Sequence, residues 1–144
     1  MKFLVFFSLA IAIIFVSCGK GYTTKPQISI ESINTLIPVD GQLQATLKFT
    51  DKQGDLGGGT FTAVRVRMNH LPFPTADSLN TIYSDSIPNF PNNSTGEFEF
   101  DLDASLFHEQ TLRNDTLVLK FVVTDRAGNM SDTVTSPTIV ALYQ

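Results

Sequence analysis

Two short acidic segments hold the residues best suited to chemistry. One is Asp51-Lys52-Gln53-Gly54-Asp55, followed by Leu56 and a run of glycines. The other is Asp125-Arg126-Ala127-Gly128-Asn129-Met130-Ser131-Asp132. Carboxylate and amide oxygens so closely spaced suit a hard cation, and calcium gathers about six to eight oxygens. Asp51, Gln53, Asp55, Asp125 and Asn129 therefore form a candidate calcium set, with Asp132 beside them. The pattern is not that of an EF-hand, because Thr62 stands where that loop needs its closing bidentate Glu. The plainer alternative is that Asp, Asn and Gly build the turns themselves, since their side chains bond local backbone and tolerate left-handed conformations.

A second acidic group is the row Glu97, Glu99, Asp101 and Asp103. Neighbouring members lie about 6.5–7 Å apart on one strand face, a spacing that glycosidase carboxylate pairs also use. Such enzymes raise one carboxyl pKa by burial, whereas these carboxylates oppose the apolar Phe98, Phe100 and Leu102 and should be solvated. A wet face that discourages edge pairing accounts for them. His70 and His108 are the only histidines and have no zinc spacing. The glycines at 54 and 57–59 resemble a phosphate loop in spacing, but Thr60 stands where its Lys belongs. No catalytic residue and no organic cofactor is expected.

Cys18 is the single cysteine, so no internal disulfide can form. It closes an export signal: Lys2 supplies the basic start, and residues 3–16 are apolar except for Ser8. That run reaches about 21 Å as a helix, short of the roughly 30 Å hydrocarbon core, so it is not expected to span a membrane stably. Residues 1–17 read as a signal peptide, 18–26 as a flexible tether, and 27–144 as one domain.

Beyond the tether, short alternating segments recur between turn residues. Strands are expected over 28–33 (with an irregularity near Ser32), 42–50, 61–69, 96–103, 116–124 and 133–143. In 61–69, Val64, Val66 and Met68 face one way and Arg65 and Arg67 the other. Pro137 favours an edge or a bulge in the last run. Residues 70–93 read as a long loop because Pro72, Pro74, Pro88 and Pro91 deny ladder donors, with a brief strand at 81–84. Phe73, Tyr83 and Phe90 would pin that loop to the domain. A helical turn is allowed near 104–109. The fold class is all-β: one antiparallel sandwich of about seven strands.

Four resemblances follow from these motifs. Ser17-Cys18-Gly19 after the apolar run resembles a bacterial lipobox, which implies acylation of Cys18 and cleavage before it. Phe49-Thr50-Asp51-Lys52-Gln53-Gly54-Asp55-Leu56-Gly57 looks like a turn of Bacteroidota-type surface lipoproteins. Residues 122–131, Val-Val-Thr-Asp-Arg-Ala-Gly-Asn-Met-Ser, resemble the final hairpin of bacterial immunoglobulin-like domains, implying a sandwich of immunoglobulin or fibronectin kind. Asp77-Ser78-Leu79, Asp85-Ser86-Ile87, Asp115-Thr116-Leu117 and Asp132-Thr133-Val134 look like the O-glycosylation tripeptides of the same lineage.

The charge balance is mildly acidic, 10 Lys+Arg against 14 Asp+Glu, and no basic stripe invites nucleic acid. The expected protein is a cell-envelope lipoprotein, anchored to the outer membrane through Cys18, whose domain binds a protein or glycan without catalysis. The alternative is an accessory carbohydrate-binding lipoprotein of a glycan-uptake system using Phe73, Tyr83 and Phe90, against which stands the absence of Trp.

Overall fold

The computed structural model describes residues 24–69, 80–107 and 113–143. The signal segment, Cys18, His70, Phe73 and His108 lie outside them. In chain order the strands are β1 (Gln27–Ile33), β2 (Leu36–Ile37), β3 (Gln42–Thr50), β4 (Thr60–Arg67), β5 (Asn80–Ser86), β6 (Thr95–Asp103), β7 (Asp115–Thr124), β8 (Val134–Thr135) and β9 (Ile139–Ala141). They form two sheets: β1-β3-β6, and β2-β9-β7-β4-β5 with β8 also on β7. All pairings are antiparallel except β2 with β9. The result is an all-β sandwich; its described helical content is one 3-10 turn, Ala104–Leu106, capped by Asp103.

Strict alternation fixes β3 and β7. Leu43, Ala45, Leu47 and Phe49 point inward from β3, and Leu117, Leu119, Phe121 and Val123 from β7, so each strand buries one side chain in two. The register of β1 on β3 slips between Ile30 and Ser32, at the expected irregularity. Phenylalanine fills the interior: Phe61 meets Phe100 at 5.0 Å and Phe121 at 5.8 Å between ring centroids, and Phe98 meets Phe61 edge-on at 5.3 Å. Such tilted aromatic pairs add to the burial of their large surfaces.

The structure departs from the sequence pattern in four places. In β4 the inward face is the one carrying the arginines: Phe61, Ala63, Arg65 and Arg67 are buried, while Val64 and Val66 are only half-buried. Partners make this tolerable. Arg65 donates to Leu106 O and Thr81 Oγ1, each at 2.8 Å, and lies over the Phe107 ring. Arg67 reaches Asp115.

The loop expected over 70–93 contains a full strand, β5, because residues 80–86 fall between the prolines rather than on them. On β6 only Leu102 is buried, and Phe98 and Phe100 are half-covered, because the strand ends its sheet. The run 133–143 breaks at Ser136-Pro137 into β8 and β9. There the Ser136 hydroxyl accepts from Leu119 N at 2.9 Å and replaces the missing ladder partner.

Candidate metal centre

The ends of β3 and β7 meet at one pole of the sandwich. The opening residue of β4, Thr60, is opposite Thr124, the last residue of β7, so the loop after β3 returns alongside the loop after β7. Glycine permits the close passage: a Cβ on Gly59 would lie 2.1 Å from Thr124 O. A backbone bond from Arg126 N to Asp55 O at 3.2 Å ties the loops together.

Within each loop an aspartate organises its own turn. The Asp51 carboxylate accepts from Gln53 N at 3.1 Å and Asp55 N at 2.9 Å, while Gly54 N returns to Asp51 O at 3.1 Å and Gly54 takes φ +70°. The Asp125 carboxylate accepts from Asn129 N and Asn129 Nδ2, both at 2.8 Å, and Gly128 takes φ +88°. These are side-chain-stabilised turns in which glycine takes the left-handed position. Asp51 is 1% exposed and Asp125 4%, so both carboxylates are removed from water and bonded to backbone N–H groups.

Asp55 completes a triad. One oxygen from each of Asp51, Asp55 and Asp125 falls within 4.8 Å of the other two. Oxygens bound to one calcium at about 2.3–2.6 Å cannot be more than roughly 5.2 Å apart, so the spacing fits. Asp55 Oδ1 is buried and receives no backbone N–H, while its carboxyl lies within hydrogen-bonding reach of that of Asp51. Burial, then the charge of Asp125, then that of Asp51, push the Asp55 carboxyl above the ordinary carboxylate range. Oxygens that already accept one N–H keep a second lone pair, so the bonds to Asp51 and Asp125 do not close the site to a cation.

Of the other expected ligands, Asn129 is half-buried at the rim and Gln53 is exposed, their amides 3.5 Å apart. Asp132 does not join: it is 91% exposed and paired with Lys25. Thr24 Oγ1 approaches Asn129 Oδ1 at 3.5 Å, so the chain enters the domain at this pole.

Elsewhere, Glu97, Glu99, Asp101 and Asp103 are exposed on the outer face of β6, as their opposition to Phe98, Phe100 and Leu102 requires. Tyr83 packs toward Phe100 at 6.5 Å and Phe90 stacks on Phe49 at 5.4 Å, so both rings serve the core's margin. Asp115, read in the sequence as part of a glycosylation tripeptide, is buried against Arg67. That pair joins residues 48 positions apart and leaves no local trace in the sequence.

No family model matches the chain, and no curated protein matches it. Among solved structures, a β-glucosidase from Listeria innocua in complex with glucose aligns at 9% identity and TM-score 0.44, and the same enzyme with gluconolactone at 7% and 0.43. Each alignment covers 85% of this chain but only 17% of the enzyme chain. AggA, the major subunit of aggregative adherence fimbriae type I from Escherichia coli, aligns at 10% identity and TM-score 0.32, covering 83% of this chain and 96% of that one. The chain is a small β-rich domain by its own strands, and its similarity to the fimbrial subunit is distant.

Proposed function

We propose that this protein is a non-enzymatic binding or structural module of the bacterial cell envelope, anchored through acylated Cys18 and stiffened at one pole by calcium. Asp51, Asp55 and Asp125 hold the ion, with Gln53 Oε1 as a neutral oxygen at the rim, and Asn129 would join only by turning its amide, whose Nδ2 now faces Asp125. The observation that carries the metal reading is the convergence of three carboxylates, those of Asp51 and Asp125 buried and that of half-buried Asp55 with its Oδ1 turned inward, on one point. A divalent cation replaces their mutual repulsion by attraction and joins two loops whose other links are few. The signal segment and its lone cysteine support the anchoring.

The test is thermal unfolding of the full chain in detergent, in chelator and in calcium. Extracellular calcium modules bind with dissociation constants of about 0.1–1 mM. At a hundredfold excess over the dissociation constant, the stabilisation is about 2.7 kcal/mol, a rise of several degrees. Asp55→Ala and Asp125→Ala should each abolish the rise. Equal melting temperatures with and without calcium would return the three aspartates to the role of turn formers.

A further inference from the structure

One flank of the sandwich is bounded by β6, the last strand of its sheet, and β5, the last strand of the other. Among the described residues each pairs on one side only: β6 with β3, and β5 with β4. Between them lies a cleft of about 730 Å³. Phe61, Tyr83 and Phe100 floor it, and Asp85, Glu99 and Asp101 stand at its mouth.

We propose that this cleft receives an extended peptide of a partner protein. The peptide adds a strand to the outer edge of β6, its alternate side chains apolar toward the floor and cationic toward Glu99 and Asp101. The inference goes beyond the metal pole and does not depend on it.

Three features select that occupant. An added strand lies about 4.8 Å beyond β6 and turns every second side chain to one face. Its inward side chains would complete the burial of Phe98 and Phe100, which are half-covered although they share a face with buried Leu102. Its outward side chains would stand beside Glu99 and Asp101, which are exposed and, among the described residues, in no ion pair. Among the described residues no lysine or arginine lines the cleft. The acidic row also disfavours a second copy of this chain, because edge-to-edge pairing of β6 with itself would bring like charges together. The same carboxylates thus repel self-association and select a cationic strand.

The experiment uses the full chain in detergent and a fluorescein-labelled peptide, Lys-Val-Lys-Val-Lys-Val-Lys, followed by anisotropy at low salt. Saturable binding is expected. Paired substitution E99K with D101K should weaken it about tenfold or more, whereas E31K with D40K makes the same change in net charge away from the cleft and should alter it less than about twofold. A peptide N-methylated on alternate amides keeps its charge but cannot complete the ladder, and should bind about tenfold more weakly. This arm needs no protein variant. Equal affinity of the methylated peptide, equal weakening by E31K with D40K, or no binding would overturn the proposal. So would a sedimenting dimer that E99K with D101K dissociates, which would assign the cleft to a second copy.

Discussion

Arg67 Nε donates to Asp115 Oδ2 at 2.8 Å across the β4–β7 boundary, with the two side chains 1% and 6% exposed. Removing one partner of a buried ion pair leaves the other charged and desolvated, which costs about 3–5 kcal/mol. Asp115→Ala should therefore consume much of a margin of about 5–15 kcal/mol, lowering the urea midpoint sharply. Replacing both, as R67M with D115L, should recover most of the loss. A double variant as unstable as Asp115→Ala would show that the pair has no such coupling.

Asp55 gives the pole a pH dependence of definite sign. Its folded pKa is raised, so between the ordinary carboxylate value and the raised one the folded state holds more proton than the unfolded. In chelator, stability should fall as pH rises through that window, and calcium should reverse the loss by favouring the ionised form. Asp55→Asn, neutral at every pH, should melt a few degrees above wild type in chelator at neutral pH and lose the calcium response. Melting curves from pH 4 to 8 for both proteins check this; parallel curves would contradict it.

Gly59 is held by space rather than by backbone angle. A methyl group there meets the Thr124 carbonyl at 2.1 Å and Leu56 O at 2.9 Å, both backbone atoms that cannot swing aside. Gly59→Ala should destabilise the domain by about 3 kcal/mol or more, in the range of severe overpacking, and should spread the two acidic loops. Gly128 makes the contrast: its Cβ would meet nothing within 4 Å, although φ is +88°. Gly128→Ala should cost only the left-handed penalty of about 1–2 kcal/mol. Chemical denaturation of both variants orders the two costs.

The anchor rests on the single thiol. Cys18→Ala should shift the full chain from the membrane fraction to the soluble fraction or leave the precursor uncleaved. Metabolic labelling with a fatty acid should mark the wild type alone. A mature-sized, membrane-bound alanine variant would refute acylation at this residue.

The strands easiest to read are those in which one parity carries the larger apolar residues. β3 and β7 carry large apolar residues at every second position, and they lie inside their sheets. β4 is ambiguous in sequence because both parities hold apolar residues; long-range partners for Arg65 and Arg67 decide it. β5 was shortened in the sequence reading by prolines that flank it without entering it. Edge exposure on β6 is equally invisible locally, since Phe98 and Leu102 look alike until the sheet order is known. The acidic pole was legible because two turns of similar composition end β3 and β7, and the sandwich brings those ends together. Asp132, beside the set in sequence, is held outward by Lys25 from a position 107 residues earlier, a partner no local pattern reveals.

The approach of Thr24 to Asn129 places the start of the domain beside the proposed ion site. Thr24 lies six positions beyond Cys18, a reach of at most about 22 Å. Under the proposed acylation of Cys18, Thr24 could stand no farther than that from the headgroups, with Asn129 of the acidic pole beside it. An anionic surface of about −30 mV enriches a divalent cation roughly tenfold at contact. The enrichment fades over a screening length of about 8 Å. Under the proposed anchoring, a site near the surface would fill at lower bulk ion concentration than one held beyond a screening length, so bilayer charge and linker length would both bear on its occupancy.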